Sequence, residues 1–213
     1  FAVAIRGFLA YYEYGNSDVR DAVEVLAPIA YAGQDIYKEV GHPYFPYWIN
    51  SILFWKHVSV VSHIPLSFLF KLTAIFTNIV FACFVLFSSY KIGREKQNIV
   101  LLIAFSPVLI AVSTVLAQFD IIPTFLVFLA FVILAYDKKR WQWSALLLGF
   151  GIGVKTFPLI LIPAFLAEFS SKKKMLGFLS IVLATVLFSS LLAVEASPIE
   201  VLQTVFGYRG MVG

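Results

Sequence analysis

The sequence predicts an all-α fold, a polytopic transmembrane helical bundle with an extracytoplasmic loop carrying amphipathic and interfacial helices. Three observations predict it. Of the 213 residues, 61% are hydrophobic and only 13% charged, against about 25% charged in soluble domains, and the mean hydropathy is +0.90. Four windows (Leu72–Tyr90, Ile99–Leu116, Ile121–Tyr136 and Met175–Val194) carry no formal charge. Two of them reach or approach the roughly 20 apolar residues a membrane crossing needs. Finally, nine of the sixteen basic residues fall in three short loops: Lys91, Arg94, Lys96; Lys138, Lys139, Arg140; and Lys172, Lys173, Lys174. Basic residues clustered in short loops mark the cytoplasmic side. The net charge of +4 is therefore read as a topology signal, and nucleic acid is not expected as a partner.

Taken in order, residues 1–12 read as the end of a first span, 13–65 as an outer loop, 66–194 as the bundle and 195–213 as the start of a next outer loop. Together they form a single membrane domain, expected to be truncated at both ends. "FAVAIRGFLAYY" lacks the basic start and small-residue cleavage site of a signal peptide. The outer loop holds six of the twelve acids, Glu13, Asp18, Asp21, Glu24, Asp35 and Glu39. Within it, "SDVRDAVEVLAPIAYAG" places Val19, Ala22, Val23, Leu26 and Ala30 on one helical stripe, with Pro28 expected to bend the helix and Gly33 to end it. Asp35 and Glu39 read as solvated loop charges. "GHPYFPYW" is an elbow fixed by two prolines, whose Tyr44, Phe45, Tyr47 and Trp48 suit a membrane interface. Residues 47–63 carry Lys56 and His57, are short for a span, and are expected to lie along the surface.

Placing the three basic loops inside fixes the remaining directions. Residues 66–90 run inward, 98–116 outward and 119–136 inward again, so "STVLAQFD" lies at the outer surface. Between the second and third basic loops the chain goes out and returns within Trp141–Glu168. Each leg is then about 14 residues, or roughly 21 Å of helix, short of the roughly 30 Å apolar core. At the apex stands "GVKTFP", with Lys155 as its one charge. A broken helix at membrane depth is tolerated where it lines a cavity. The glycines of "GFGIG" allow close approach, Thr156 can cap a new helix and Pro158 fits its first turn. An ammonium beside a helix start makes an anion site, with phosphate the obvious ligand. The plainer alternative is a lysine snorkelling from a helix end.

Asp18, His42, Gln118, Asp120, Lys155 and Arg209 are thereby all assigned to the outer face. No nucleotide-activated donor is available there, so an enzyme would use a donor carried by the membrane, such as a sugar on a polyprenyl phosphate. Such a transfer asks for a carboxylate that takes the acceptor proton and a cation that holds the departing phosphate. Asp18 fills the first role, with helix capping as its alternative and Asp21 as the second candidate. Lys155 fills the other, with Arg209 as a second phosphate ligand. His42, Tyr44, Gln118 and Asp120 are candidate substrate contacts, Asp120 being equally suited to capping. No cofactor is required; a divalent cation (Mg or Mn) is compatible, although no ligand cluster demands one.

The succession "GNSD", "GHPYFPYW", "QFDIIP" and "GVKTFPLILIP", over roughly residues 14–168, resembles the GT-C class of integral-membrane glycosyltransferases. It is most similar to the branch of mannosyltransferases that use polyprenyl-phosphate mannose. The resemblance implies an acidic base in the first outer loop, which maps to Asp18, and donor-phosphate contacts from "VKTFP", which map to Lys155. It implies a polyprenyl-phosphate hexose as donor and a lipid-linked or cell-surface glycan as acceptor. It also implies a multi-pass plasma-membrane protein with an extracytoplasmic site, or an endoplasmic-reticulum protein with a lumenal one. The chain departs from the family at the elbow, where Tyr44-Phe45-Pro46 replaces Tyr-Pro-Pro. The rival reading is a transporter or flippase for an anionic lipid-linked substrate.

Overall fold

A computed structural model describes residues 8, 10, 17–41, 45–90, 119–192 and 198–207, and these are helical or in turns, with no strand among them. The expected all-helical class is found. The chain divides into two compact units, Phe1–Val25 with Trp55–Ile122, and Leu26–Phe54 with Pro123–Gly213.

The amphipathic stretch of the outer loop forms α1 (Ser17–Asp21), a π-helical turn (Ala22–Leu26) and α2 (Ala27–Tyr31). Of the stripe read from the sequence, Val19, Ala22, Leu26 and Ala30 are buried and Val23 is half-buried; Ala27, outside that stripe, is buried as well. Pro28 acts through this π turn: proline offers no N–H and crowds the carbonyl four residues back, so the preceding turn widens. Gly33, at φ +76°, closes α2, its N–H bonded to the Ala30 carbonyl at 3.1 Å; a left-handed residue there suits glycine. Asp35 is not a solvated loop charge. Its Oδ1 accepts from the Tyr37 N–H at 2.9 Å and so caps α3 (Ile36–Glu39).

Pro46 opens α4 (Pro46–Ser62). Phe45, Trp48, Ile49 and Ile52 are buried at i, i+3, i+4 and i+7 spacing. Two of the four elbow aromatics therefore pack inward instead of meeting an interface. After a corner at His63, φ 58°, α5 (Leu66–Tyr90) follows. Lys71 on α5 is fully buried, its Nζ 3.3 Å from the Ala10 carbonyl, and α1 packs on α5 in this first unit.

The second unit is built from α6 (Ile121–Tyr136), a 3-10 turn (Lys138–Arg140), α7 (Trp141–Val154), a 3-10 segment (Phe157–Leu161), α8 (Ile162–Leu166), α9 (Lys172–Leu192) and α10 (Pro198–Gly207). Its core gathers Ala130, Leu134, Ala145, Leu148, Ile152, Phe165, Phe178, Val182, Val201 and Val205. α7 and α9 form the most extensive helix pair. They run side by side in the same direction, because Gly177 faces Trp141 near one end and Gly149 faces Val182 and Thr185 further along. A Cβ at Gly149 would stand 2.7 Å from Thr185 Cβ and 3.0 Å from the Val182 carbonyl oxygen, so glycine sets how closely these helices approach. On α7's other side the buried Ser144 hydroxyl donates to the Ala130 carbonyl of α6 at 2.8 Å.

The legs of α6 and α7, 16 and 14 residues, fall short of the roughly 20 a span needs. α5 and α9 are longer, but α5 embeds Lys71 and Asn78 and α9 opens on three lysines. Among the described residues no helix is long and apolar enough to cross a membrane. The Ile99–Leu116 window lies outside the described residues.

Candidate functional site

Around Lys155 the chain breaks and doubles back, so that the two ends of this segment meet. At its base, Lys138 Nζ meets Glu168 Oε2 at 2.9 Å and the Glu168 carbonyl at 3.3 Å. Trp141 and Phe169 meet edge to face with ring centroids 6.3 Å apart. The chain at the start of α7 and the chain just past α8 are thus joined, and the turn between them must project from that base. α7 supplies the first leg of 14 residues, roughly 21 Å, which matches the length read from the sequence for that leg.

At the apex the helix breaks at Lys155. Its N–H makes the last helical bond, to the Gly151 carbonyl at 3.1 Å, and its backbone then turns extended at φ −151°, ψ 143°. Pro158 lies in the first turn of the next segment, as expected. Two details differ. Thr156 occupies the cap position without a side-chain hydrogen bond, because its own backbone is already helical (φ −73°, ψ −21°) and a capping side chain reaches back from an extended residue. The return leg starts as a five-residue 3-10 helix before α8, since prolines at positions 158 and 163 each withhold a donor. A five-residue 3-10 start has little aligned dipole, and the one charged side chain of this turn is the half-buried Lys155.

Beside the turn lies an open cavity of about 460 Å³, lined by Thr156, Phe157, Leu159, Ile160, Val205 and Phe206. One wall is the 3-10 segment and the other is α10, which is held by its own contacts. Lys38 of α3 pairs with Glu200 at 3.2 Å, and Phe45 meets Phe206 edge to face at 6.1 Å. Ile160 and Phe206 remain exposed. The site so described is an apolar groove with one hydroxyl in its wall, that of Thr156, the residue after Lys155.

The turn is braced from a side the sequence reading did not see. Tyr47 of α4 lays its ring where a Gly153 Cβ would stand, donates its hydroxyl to the Thr185 carbonyl at 3.0 Å, and packs on Phe150 with centroids 5.1 Å apart. Burial raises the Tyr47 phenol pKa above its ordinary value, so it stays a donor.

The family model of Glycosyltransferase family 87 matches residues 48–211. The chain belongs to this family. It is accordingly a glycosyltransferase, acting on a sugar donor and an acceptor. No curated protein and no solved structure matches it.

The part matched to family 87 takes in Asp120, Lys155 and the whole groove, and begins after Asp18, His42 and Tyr44. Asp18 is the second residue of α1, and Asp120 is half-buried in the turn before α6. Both belong to the first unit and Lys155 to the second. The candidates His42, Tyr44, Gln118 and Arg209 lie outside the described residues. α10, which walls the groove, ends two positions before Arg209 in the sequence. Lys71 escaped the sequence reading. It sits next to a charge-free window and looks like an edge residue, yet it is fully buried in the same unit as Asp18. Asn78, buried two turns along the same helix, was the available signal, since two polar residues seven apart share a helix face. Among the described residues no group of three or more His, Cys, Asp or Glu side chains could hold a metal ion.

Proposed function

We propose that this family 87 glycosyltransferase moves a hexose, with mannose as the first candidate, from a polyprenyl-phosphate donor to a lipid-linked or cell-surface glycan. The reaction takes place at the extracytoplasmic face of a membrane in which the chain is embedded by several spans. The observation that carries the reading is the Lys155 turn beside an open apolar groove. An isoprenoid phosphate has the matching division: a long apolar tail and an anionic head that gains charge as the sugar leaves. An ammonium near the phosphate stabilises that charge, and the apolar wall accepts the tail.

Asp18 is the proposed base. It removes the acceptor hydroxyl proton as the acceptor oxygen attacks the anomeric carbon, and the anomeric carbon–phosphate oxygen bond breaks. The leaving phosphate keeps the bonding pair next to Lys155. One displacement of this kind inverts the anomeric centre.

The test uses the full-length protein in liposomes, with radiolabelled prenyl-phosphate mannose and a membrane lipid extract as acceptor source. Transfer that falls by about 100-fold or more in Asp18→Asn, as loss of a general base implies, and also drops in Lys155→Met supports the reading. Unchanged transfer in either variant refutes that residue's role. Labelled lipid that crosses the bilayer without transfer would replace the enzyme with a flippase.

A further inference from the structure

The second unit contains a contact that neither the family match nor the proposed chemistry accounts for, the insertion of Tyr47 against the end of α7. Gly153 is two residues before Lys155, in the last turn of the helix whose final bond comes from the Lys155 N–H. Any side chain at Gly153 would collide with the Tyr47 ring, so the glycine is there to admit the ring. The hydroxyl on the far side of that ring is anchored to a backbone carbonyl of α9. Thr185 turns its own hydroxyl back to the Ile181 carbonyl at 2.8 Å, and its carbonyl, within α9, accepts the phenol. Phe150 closes a further side of the ring. Tyr47 therefore joins three elements, α4, the end of α7 and α9, at the point where the chain leaves the helix.

We propose that Tyr47 is a positioning residue, which acts through Lys155 by fixing the turn that presents the ammonium. This rests on the reading of Lys155 as a ligand of the donor phosphate. A hydrogen bond to a fixed carbonyl sets the ring, the ring sets the last turn of α7, and that turn sets the direction in which Lys155 departs. Loss of the hydroxyl leaves the ammonium in place chemically but allows it to wander, and a misaimed charge stabilises a phosphate less well.

The experiment is a double-variant cycle on the full-length protein in lipid nanodiscs. A sugar-free prenyl phosphate serves as the binding probe, with donor KM and kcat measured alongside. Tyr47→Phe keeps the ring and loses one hydrogen bond, so the dissociation constant for prenyl phosphate is expected to rise by about 5-fold. Gly153→Ala, which displaces the ring from the other side, is expected to weaken binding likewise. Lys155→Met should weaken it further, and the Tyr47→Phe/Lys155→Met pair should bind no worse than Lys155→Met alone. A Tyr47→Phe protein that binds like the wild type overturns the inference. So does a double variant whose loss is the product of the single losses, since that describes a general structural role. If Lys155→Met itself leaves binding unchanged, the phosphate-ligand reading fails and this inference falls with it, an outcome told apart by that one variant.

Discussion

Tyr37 shows how the fold alters a single residue. The phenol is buried in the second unit's core, and the Asp35 carboxylate caps the same short helix. Burial first, and the nearby negative charge second, raise its pKa well above the ordinary tyrosine value. The sign follows from which form the fold accepts. Below about pH 10 the phenol is neutral in both the folded and unfolded chains and this stabilisation is intact. Above that pH the unfolded chain ionises while the folded one does not, so stability is lost as pH rises towards the folded-state value. The slope is about 1.4 kcal/mol per pH unit for one such group. Thermal unfolding of the detergent-solubilised protein between pH 9 and 11.5 should show this fall, and Tyr37→Phe should flatten it. Equal slopes in both proteins would remove Tyr37 as the cause. Lys71 shows the same dependence on placement. A lysine bordering an apolar window reads as an edge residue, and only the packing around α5 makes it a buried side chain whose Nζ donates to the Ala10 carbonyl.

At the scale of elements, the pairing of α7 with α9 depends on a single missing side chain. Gly149→Ala would improve helix propensity by about 1 kcal/mol. The new Cβ would meet Thr185 Cβ at 2.7 Å and a backbone oxygen at 3.0 Å, and the oxygen has no rotamer by which to yield. Overpacking of this kind costs about 1–3 kcal/mol, so the clash wins and the variant should unfold at lower denaturant or temperature than the wild type. A more stable Gly149→Ala protein would mean that the two helices separate easily. The glycines of "GFGIG" were legible as sites of close approach, and Gly149 serves a neighbouring helix as expected. Gly153 serves an aromatic ring instead. Nothing local distinguishes the two, because both glycines are helical and the difference lies in which distant residue arrives opposite.

The whole molecule tests the membrane reading. If the bundle is embedded as proposed, alkaline carbonate washing of expressing cells' membranes should leave the chain in the pellet, whereas release into the wash would contradict it. The division into two units separates the candidates: Asp18 and Asp120 fold with Lys71, and Lys155 folds with the groove and Tyr47. The outer-loop stripe, the glycine that ends it and the helix break at Lys155 were all readable in advance, since each depends on residues within a turn or two of one another. Asp35 as a cap was missed although its signal was local, an acid directly before the first apolar residue of a helix.

By itself the sequence determined the helical class, the periodic faces and the place where α7 must stop, because backbone propensity, side-chain period and proline geometry act over short range. Tertiary structure alone decided that Tyr47 fills the space beside Gly153, that Lys138 ties the two ends of the broken hairpin through Glu168, and that α10 walls the groove. These contacts join residues far apart in the chain. They arise from mutual burial and close packing, which no local stretch of sequence encodes.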